Sequence, residues 1–139
     1  MINDTDKAYI AGLFDGKGSV DFTKRKEKKR NGTYSCRRIS MEISMTDQSV
    51  LMWLHEVLGV GTLTKKPRKG LRKNGTKYLM QWRWRCTFRD AYYVARLLWP
   101  YAQVKMQKIE KIIDHYAPDY VFNDKVVSLQ QYKEAMTLE

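Results

Sequence analysis

The sequence predicts an α+β fold of order αββα-ββαα, and three observations predict it. Two stretches alternate apolar and polar residues with period two, as strands with one buried face do. Each stretch is interrupted by an Asn-Gly pair, Asn31-Gly32 and Asn74-Gly75, the dipeptide that hairpin turns favour. Each is followed by a segment whose apolar residues recur at helical spacing. At 139 residues, with 43% hydrophobic and 12% aromatic content, the chain has apolar material for one core and is no disordered tail.

In order, Asp4 to Asp15 reads as a helix, with Asp4, Thr5 or Asp6 as its cap and Tyr9, Ile10, Leu13 and Phe14 as its stripe; Gly16 and Gly18 end it. Val20 and Phe22 alternate with Asp21, Thr23 and Arg25 in a first strand. Across the turn, Ile39, Met41, Ile43 and Met45 alternate with Arg38, Ser40, Glu42 and Ser44. Thr46 or Asp47 caps a helix from Gln48 to Leu58, closed by Gly59. The unit then repeats. Thr62 to Lys66 is a strand, and Tyr78, Met80, Trp82 and Trp84 alternate with Leu79, Gln81, Arg83 and Arg85 on the return. Thr87 caps a helix from Phe88 to Trp99, stopped by Pro100. Val104 to Tyr116 carries Ile109, Ile112 and Ile113 on one face. These elements form one domain over residues 1–116, and the extension 117–139 holds one peripheral helix, Lys125 to Met136.

Charge narrows the partner. The formal net charge is +11, and the cations are concentrated in two windows. Nine lie between Lys17 and Arg38 against Asp21 and Glu27, and nine between Lys65 and Arg85 against no acid, so the rest of the chain is mildly acidic. Any one of these lysines is explained by solvation alone, but two such windows on two hairpins point to a polyanion. A basic amphipathic membrane helix fits these windows less well, because they carry strand rather than helical periodicity, and no apolar run has membrane-spanning length. The start Met1 to Asp6 lacks a targeting pattern, and Cys36 and Cys86 stand without a CxxC or a His partner, which points to an intracellular, reducing compartment. His55 and His115 lie in different helices and form no metal pair, and neither cysteine has a nucleophilic setting.

With the apolar faces turned to the helices, four strands leave a curved antiparallel sheet with a polar, basic outer face. Such ribbons fit the major groove, where Arg reads guanine and Gln reads adenine bidentately. Arg25, Arg38, Gln81, Arg83 and Arg85 are the candidate base readers. Asp21, Thr23, Glu27, Ser40, Glu42 and Thr64 belong to the same candidate DNA surface, and Lys28, Arg30, Lys66, Arg68 and Lys73, in or near the lysine-rich tips, suit phosphates. Trp82 and Trp84 could stack on single-stranded bases, but their alternation with Arg83 and Arg85 assigns them to the core.

Tyr9-Ile-Ala-Gly-Leu-Phe-Asp-Gly-Lys-Gly-Ser-Val20 resembles the signature of the LAGLIDADG homing endonucleases. Ile10, Ala11, Gly12, Leu13, Phe14, Asp15, Gly16 and Gly18 match the motif, and Lys17 departs from it. Gly59-Val-Gly61, and Trp99-Pro-Tyr101 followed by Lys105, resemble further landmarks, so the resemblance spans residues 4–116. It implies the αββαββα fold, a double-stranded DNA target, and a homodimer of single-motif chains that pack through Ala11, Gly12 and Asp15. It also implies Mg²⁺-dependent phosphodiester hydrolysis, with an acid at position 17 and the Gly16 carbonyl as metal ligands and Lys105 as a basic group near the reacting phosphate. Lys17 has no lone pair to offer a cation, so the expectation for this copy is DNA binding with crippled cleavage. The alternative on the same scaffold is a maturase that binds intron RNA.

Overall fold

The computed structural model describes residues 2–67 and 69–122. Its elements follow the expected order: α1 (Asp4–Lys17), β1 (Gly18–Lys29), β2 (Gly32–Met45), α2 (Gln48–Leu58), β3 (Thr62–Lys66), β4 (Gln81–Thr87), α3 (Phe88–Leu98) and α4 (Met106–Tyr116). The strands form one antiparallel sheet in the order β1-β2-β4-β3. The two hairpins therefore lie side by side, joined through β2 and β4. All four helices pack on one side, with α1 and α3 against β2, α2 against β4, and α4 against β1.

Alternation explains the layering. Val20 on β1, Ile39, Met41 and Ile43 on β2, and Trp84 and Cys86 on β4 are buried with Phe14, Leu54, Val94, Leu98, Ile109, Ile112 and Ile113 of the helices. Trp84 is the hub: it meets Phe14 edge-on at 5.8 Å and donates its indole N–H to the Val60 carbonyl at 3.1 Å. Its assignment to the core holds. Trp82 points to the same side and is half-buried. Gly61 has φ +91°, and a Cβ there would lie 2.7 Å from the Trp84 indole nitrogen, so the backbone conformation and the close contact both require glycine.

Several boundaries differ from the sequence reading, each for a local reason. Asn3, rather than Asp4, Thr5 or Asp6, caps α1, its side chain accepting from the Asp6 amide at 2.8 Å. Gly16 lies within α1, and the helix runs on to Lys17 before Gly18 turns extended. Pro67 follows β3 and has no N–H, so the ladder ends at Lys66–Gln81 and Tyr78, Leu79 and Met80 lie outside β4. Residues 103–105 are held by Asp15 and delay α4 to Met106. Thr87 sits at the N-cap of α3 without a side-chain capping bond, whereas Asp47 caps α2 through the Ser49 and Val50 amides. The segment Lys125 to Met136, read as a peripheral helix, lies outside the described residues. No helix among the described residues is long and apolar enough to cross a membrane.

Candidate nucleic-acid interface

The sheet face away from the helices carries the polar half of every strand. Register fixes its rows: Ser19–Glu42–Arg85–Thr62, Asp21–Ser40–Thr87, Thr23–Arg38, Ser44–Arg83–Thr64, and Lys66–Gln81. Arg25 and Glu27 continue the face along the β1–β2 ribbon, opposite Cys36 and Tyr34. Twelve sequence-selected residues thus share one surface: Asp21, Thr23, Arg25, Glu27, Arg38, Ser40, Glu42, Thr64, Lys66, Gln81, Arg83 and Arg85. Ser40 is only 6% exposed and lies beneath its neighbours. Ser19, Ser44 and Thr62 belong to the same face and were not selected, although strand parity alone would have found them.

The remaining selected cations lie elsewhere. Lys28 pairs with Thr33 and, by parity, sits on the side of the ribbon opposite Arg25 and Glu27, with Lys24 and Lys26. Arg30 occupies the first hairpin turn. Lys73 lies in the second loop, where Asn74 accepts from the Thr76 amide and Gly75 adopts φ +83°. Arg68 is outside the described residues. The ribbon runs on past its last core pair, Phe22–Ile39, to Lys29–Gly32, an overhang of roughly 20 Å at strand rise. Arg37 covers the end of the core, its guanidinium 4.8 Å from the Phe22 ring centre.

Electrostatics divide the face. Arg38 Nε lies 3.6 Å from Asp21 Oδ2, while Asp21 Oδ1 accepts from the Thr23 hydroxyl at 3.0 Å. Arg83 Nε lies 3.5 Å from Glu42 Oε1 and is shut off from solvent without a hydrogen bond. Lys66 Nζ approaches Ser44 Oγ at 3.4 Å. A cleft of about 440 Å³, lined by Gly61, Thr62, Thr64, Arg83, Arg85, Cys86, Thr87 and Asp90, opens at the β3 side of the face.

The motif ends at one edge of this surface. Both Asp15 carboxylate oxygens are engaged: Oδ2 accepts from the Gln103 amide at 2.9 Å, and Oδ1 from the Val104 and Lys105 amides at 2.9 and 3.0 Å. This latch ties the end of α1 to the start of α4 and brings Lys105 to the motif. Within the chain, the Asp15 carboxylate thus serves the end of the helix. Ala11 is 0% exposed, packed in the chain's own core. Gly12 and Gly16 are exposed, with open space where a Cβ would stand. Lys17 is exposed in the last turn of α1.

These residues do not fit the divalent cation that the motif implies. Lys17 offers only donors, Asp15 is occupied, and among the described residues no group of three or more His, Cys, Asp or Glu converges. Both cysteines are free thiols; burial pushes the Cys86 thiol up to about 12, which keeps it inert. His55 is an exposed helix residue that bonds the Gly61 carbonyl at 3.0 Å, and the exposed His115 packs edge-on against Phe22.

A helix-backed antiparallel sheet with one open, arginine-rich face has the form of a groove-binding platform. Comparison with solved structures identifies the fold. The homing endonuclease I-CvuI, in complex with the I-CreI target and 2 mM Mg with the DNA not cleaved, superposes with TM-score 0.59 at 20% identity, over 83% of this chain and 69% of that one. The archaeal intron-encoded homing endonuclease I-Vdi141I, complexed with DNA, gives 0.58 at 18% identity, over 80% and 66%. The LAGLIDADG homing endonuclease I-SmaMI, bound to cleaved DNA, gives 0.56 at 20%, over 82% of this chain and 36% of that one, so this chain spans about a third of I-SmaMI. This chain has the LAGLIDADG homing-endonuclease fold, with the motif-like segment on α1. No family model and no curated protein matches it.

Proposed function

We propose that the protein is a homing-endonuclease-type DNA-binding protein: two copies, packed through their α1 helices, grip a long, near-palindromic duplex site. The observation that carries the reading is the outer sheet face, which gathers Arg25, Arg38, Gln81, Arg83 and Arg85 in a fold whose solved neighbours hold DNA. The exposed, side-chain-free surface at Gly12 and Gly16 supports close approach of two α1 helices. Hydrolysis of phosphodiester bonds with Mg²⁺ is the reaction of this fold's motif, and Lys17 cripples it in this copy. The cation required by that reaction meets an ammonium where a carboxylate belongs.

Selection of bound duplexes from a randomised DNA pool, followed by incubation of the selected site with Mg²⁺, tests the reading. The expected result is an enriched, two-fold symmetric site that stays intact. Failure to enrich any duplex, together with tight binding of structured intron RNA in competition, would replace it with the maturase reading, which the absent acid and the retained basic face also suit.

A further inference from the structure

The two ion pairs on the outer face set two of its arginines apart from the rest. A surface that met only phosphates would gain nothing from Asp21 and Glu42, because a carboxylate repels the DNA backbone. Yet both acids stand within charge contact of an arginine on the neighbouring strand: Asp21 3.6 Å from Arg38, and Glu42 3.5 Å from Arg83. Both carboxylates approach Nε. The guanidinium fork has five donors, and a carboxylate on the Nε side leaves the paired Nη edge for a bidentate acceptor. Guanine presents such an acceptor, O6 with N7, in the major groove. Asp21 is itself held by the Thr23 hydroxyl, and Arg83 Nε is sealed from solvent, so each pair restricts its arginine before DNA arrives.

Resting on the DNA-binding reading above, we propose that Asp21 and Glu42 are positioning residues that aim Arg38 and Arg83 at guanine, giving two acid-backed guanine contacts in each half-site. The sheet also sets their spacing. Arg83 pairs with Ser44, six residues along β2 from Arg38, which is roughly 20 Å at strand rise. For a strand following the groove, this is about six base pairs at about 3.4 Å each. Among the described residues, Arg25 and Arg85 have no such acid partner and make weaker, more tolerant contacts.

The test is sequencing of duplexes selected from a randomised pool by the full-length protein and by Asp21→Asn, Glu42→Gln, Arg38→Ala and Arg83→Ala, each verified as folded by its thermal melt. The wild type should enrich guanine at two positions per half-site, about six base pairs apart. Arg38→Ala should erase one preference and Arg83→Ala the other, each worth about 5- to 150-fold against the wrong base. Asp21→Asn should lower only the Arg38 preference, about fivefold or more, and Glu42→Gln only the Arg83 preference. Binding to a non-specific duplex should hold or tighten in both acid variants, since each loses a negative charge. Guanine preferences that survive both acid substitutions, or fall equally at all positions, would overturn this inference while leaving DNA binding intact. A wild type that enriches no duplex would overturn the DNA-binding reading itself.

Discussion

At the scale of single residues, the proposed chemistry turns on position 17. The motif end is well built: Asp15 locks residues 103–105, Lys105 is brought alongside, and Gly16 leaves its surroundings open. On the proposed reading, Lys17 stands where the motif's acid belongs. Lys17→Asp or Lys17→Glu should therefore give double-strand cleavage of the selected site that EDTA abolishes, while Lys17→Ala should bind and not cut, because it removes an ammonium without supplying a ligand. Gel assays of the three variants on the selected site check this, and failure of both acidic variants would mean that the site lacks more than one acid. A second residue-scale prediction concerns Cys86. Burial raises its folded pKa from 9.0 to about 12, so above pH 9 the unfolded chain loses a thiol proton that the folded chain keeps. Stability is then full below about pH 9 and is lost as pH rises toward 12. Burial also raises the Tyr101 and Tyr116 phenols, and both add to the loss with the same sign. Urea midpoints measured at rising alkaline pH should fall, less steeply in Cys86→Ala, and native-state alkylation should label Cys36 and spare Cys86.

At the scale of elements, the strand parities and the helix stops were legible, because both are local. Period-two burial separated Val20, Met41 and Trp84 from Asp21, Glu42 and Arg85 without any knowledge of partners, and Gly59 closes α2 in the left-handed conformation its position suggested. The Asp15 latch was not legible, since its acceptors and donors lie 88 to 90 residues apart. The start of β4 was missed for the same kind of reason: the alternation at Tyr78 to Met80 is genuine, but Pro67 leaves those residues no strand to pair with. The burial of Ala11 was not legible either, because a small residue in a motif serves equally for an internal contact and an external one. The loop between α2 and β3 gives a prediction at this scale. In Gly61→Ala the added Cβ meets the Trp84 indole at 2.7 Å with φ held at +91°, and the indole cannot move without breaking its bond to Val60. The variant should lose about 2 kcal/mol or more in chemical denaturation, against a few tenths for an exposed-helix change such as Ala8→Ser.

At the scale of the whole molecule, charge and symmetry act together. The proposed two-fold pairing doubles the two basic windows, and such a dimer would release many counterions on meeting DNA. With three to five phosphate contacts per subunit, affinity should fall roughly 10³- to 10⁵-fold between 50 and 200 mM salt. Lys69→Ala should flatten that slope for every sequence alike, while Arg38→Ala should leave the slope and relax one base position. On that reading the steepness depends on the dimer, and Gly12 isolates the dependence. Within one chain Gly12 touches nothing that a side chain would displace, so Gly12→Leu should fold normally, with helix propensity favouring it over glycine. Between two chains, a leucine on each helix would hold the α1 axes apart where the bare glycine surfaces would meet. Sedimentation should show the wild type as a dimer at micromolar concentration and Gly12→Leu shifted to monomer with an unchanged melting curve. The variant's salt slope on DNA should drop to about half, because each bound chain then contributes its own contacts alone. A wild type that is monomeric both free and on DNA, or a Gly12→Leu protein that keeps the full slope, would require the two-fold site to be read without this helix pairing.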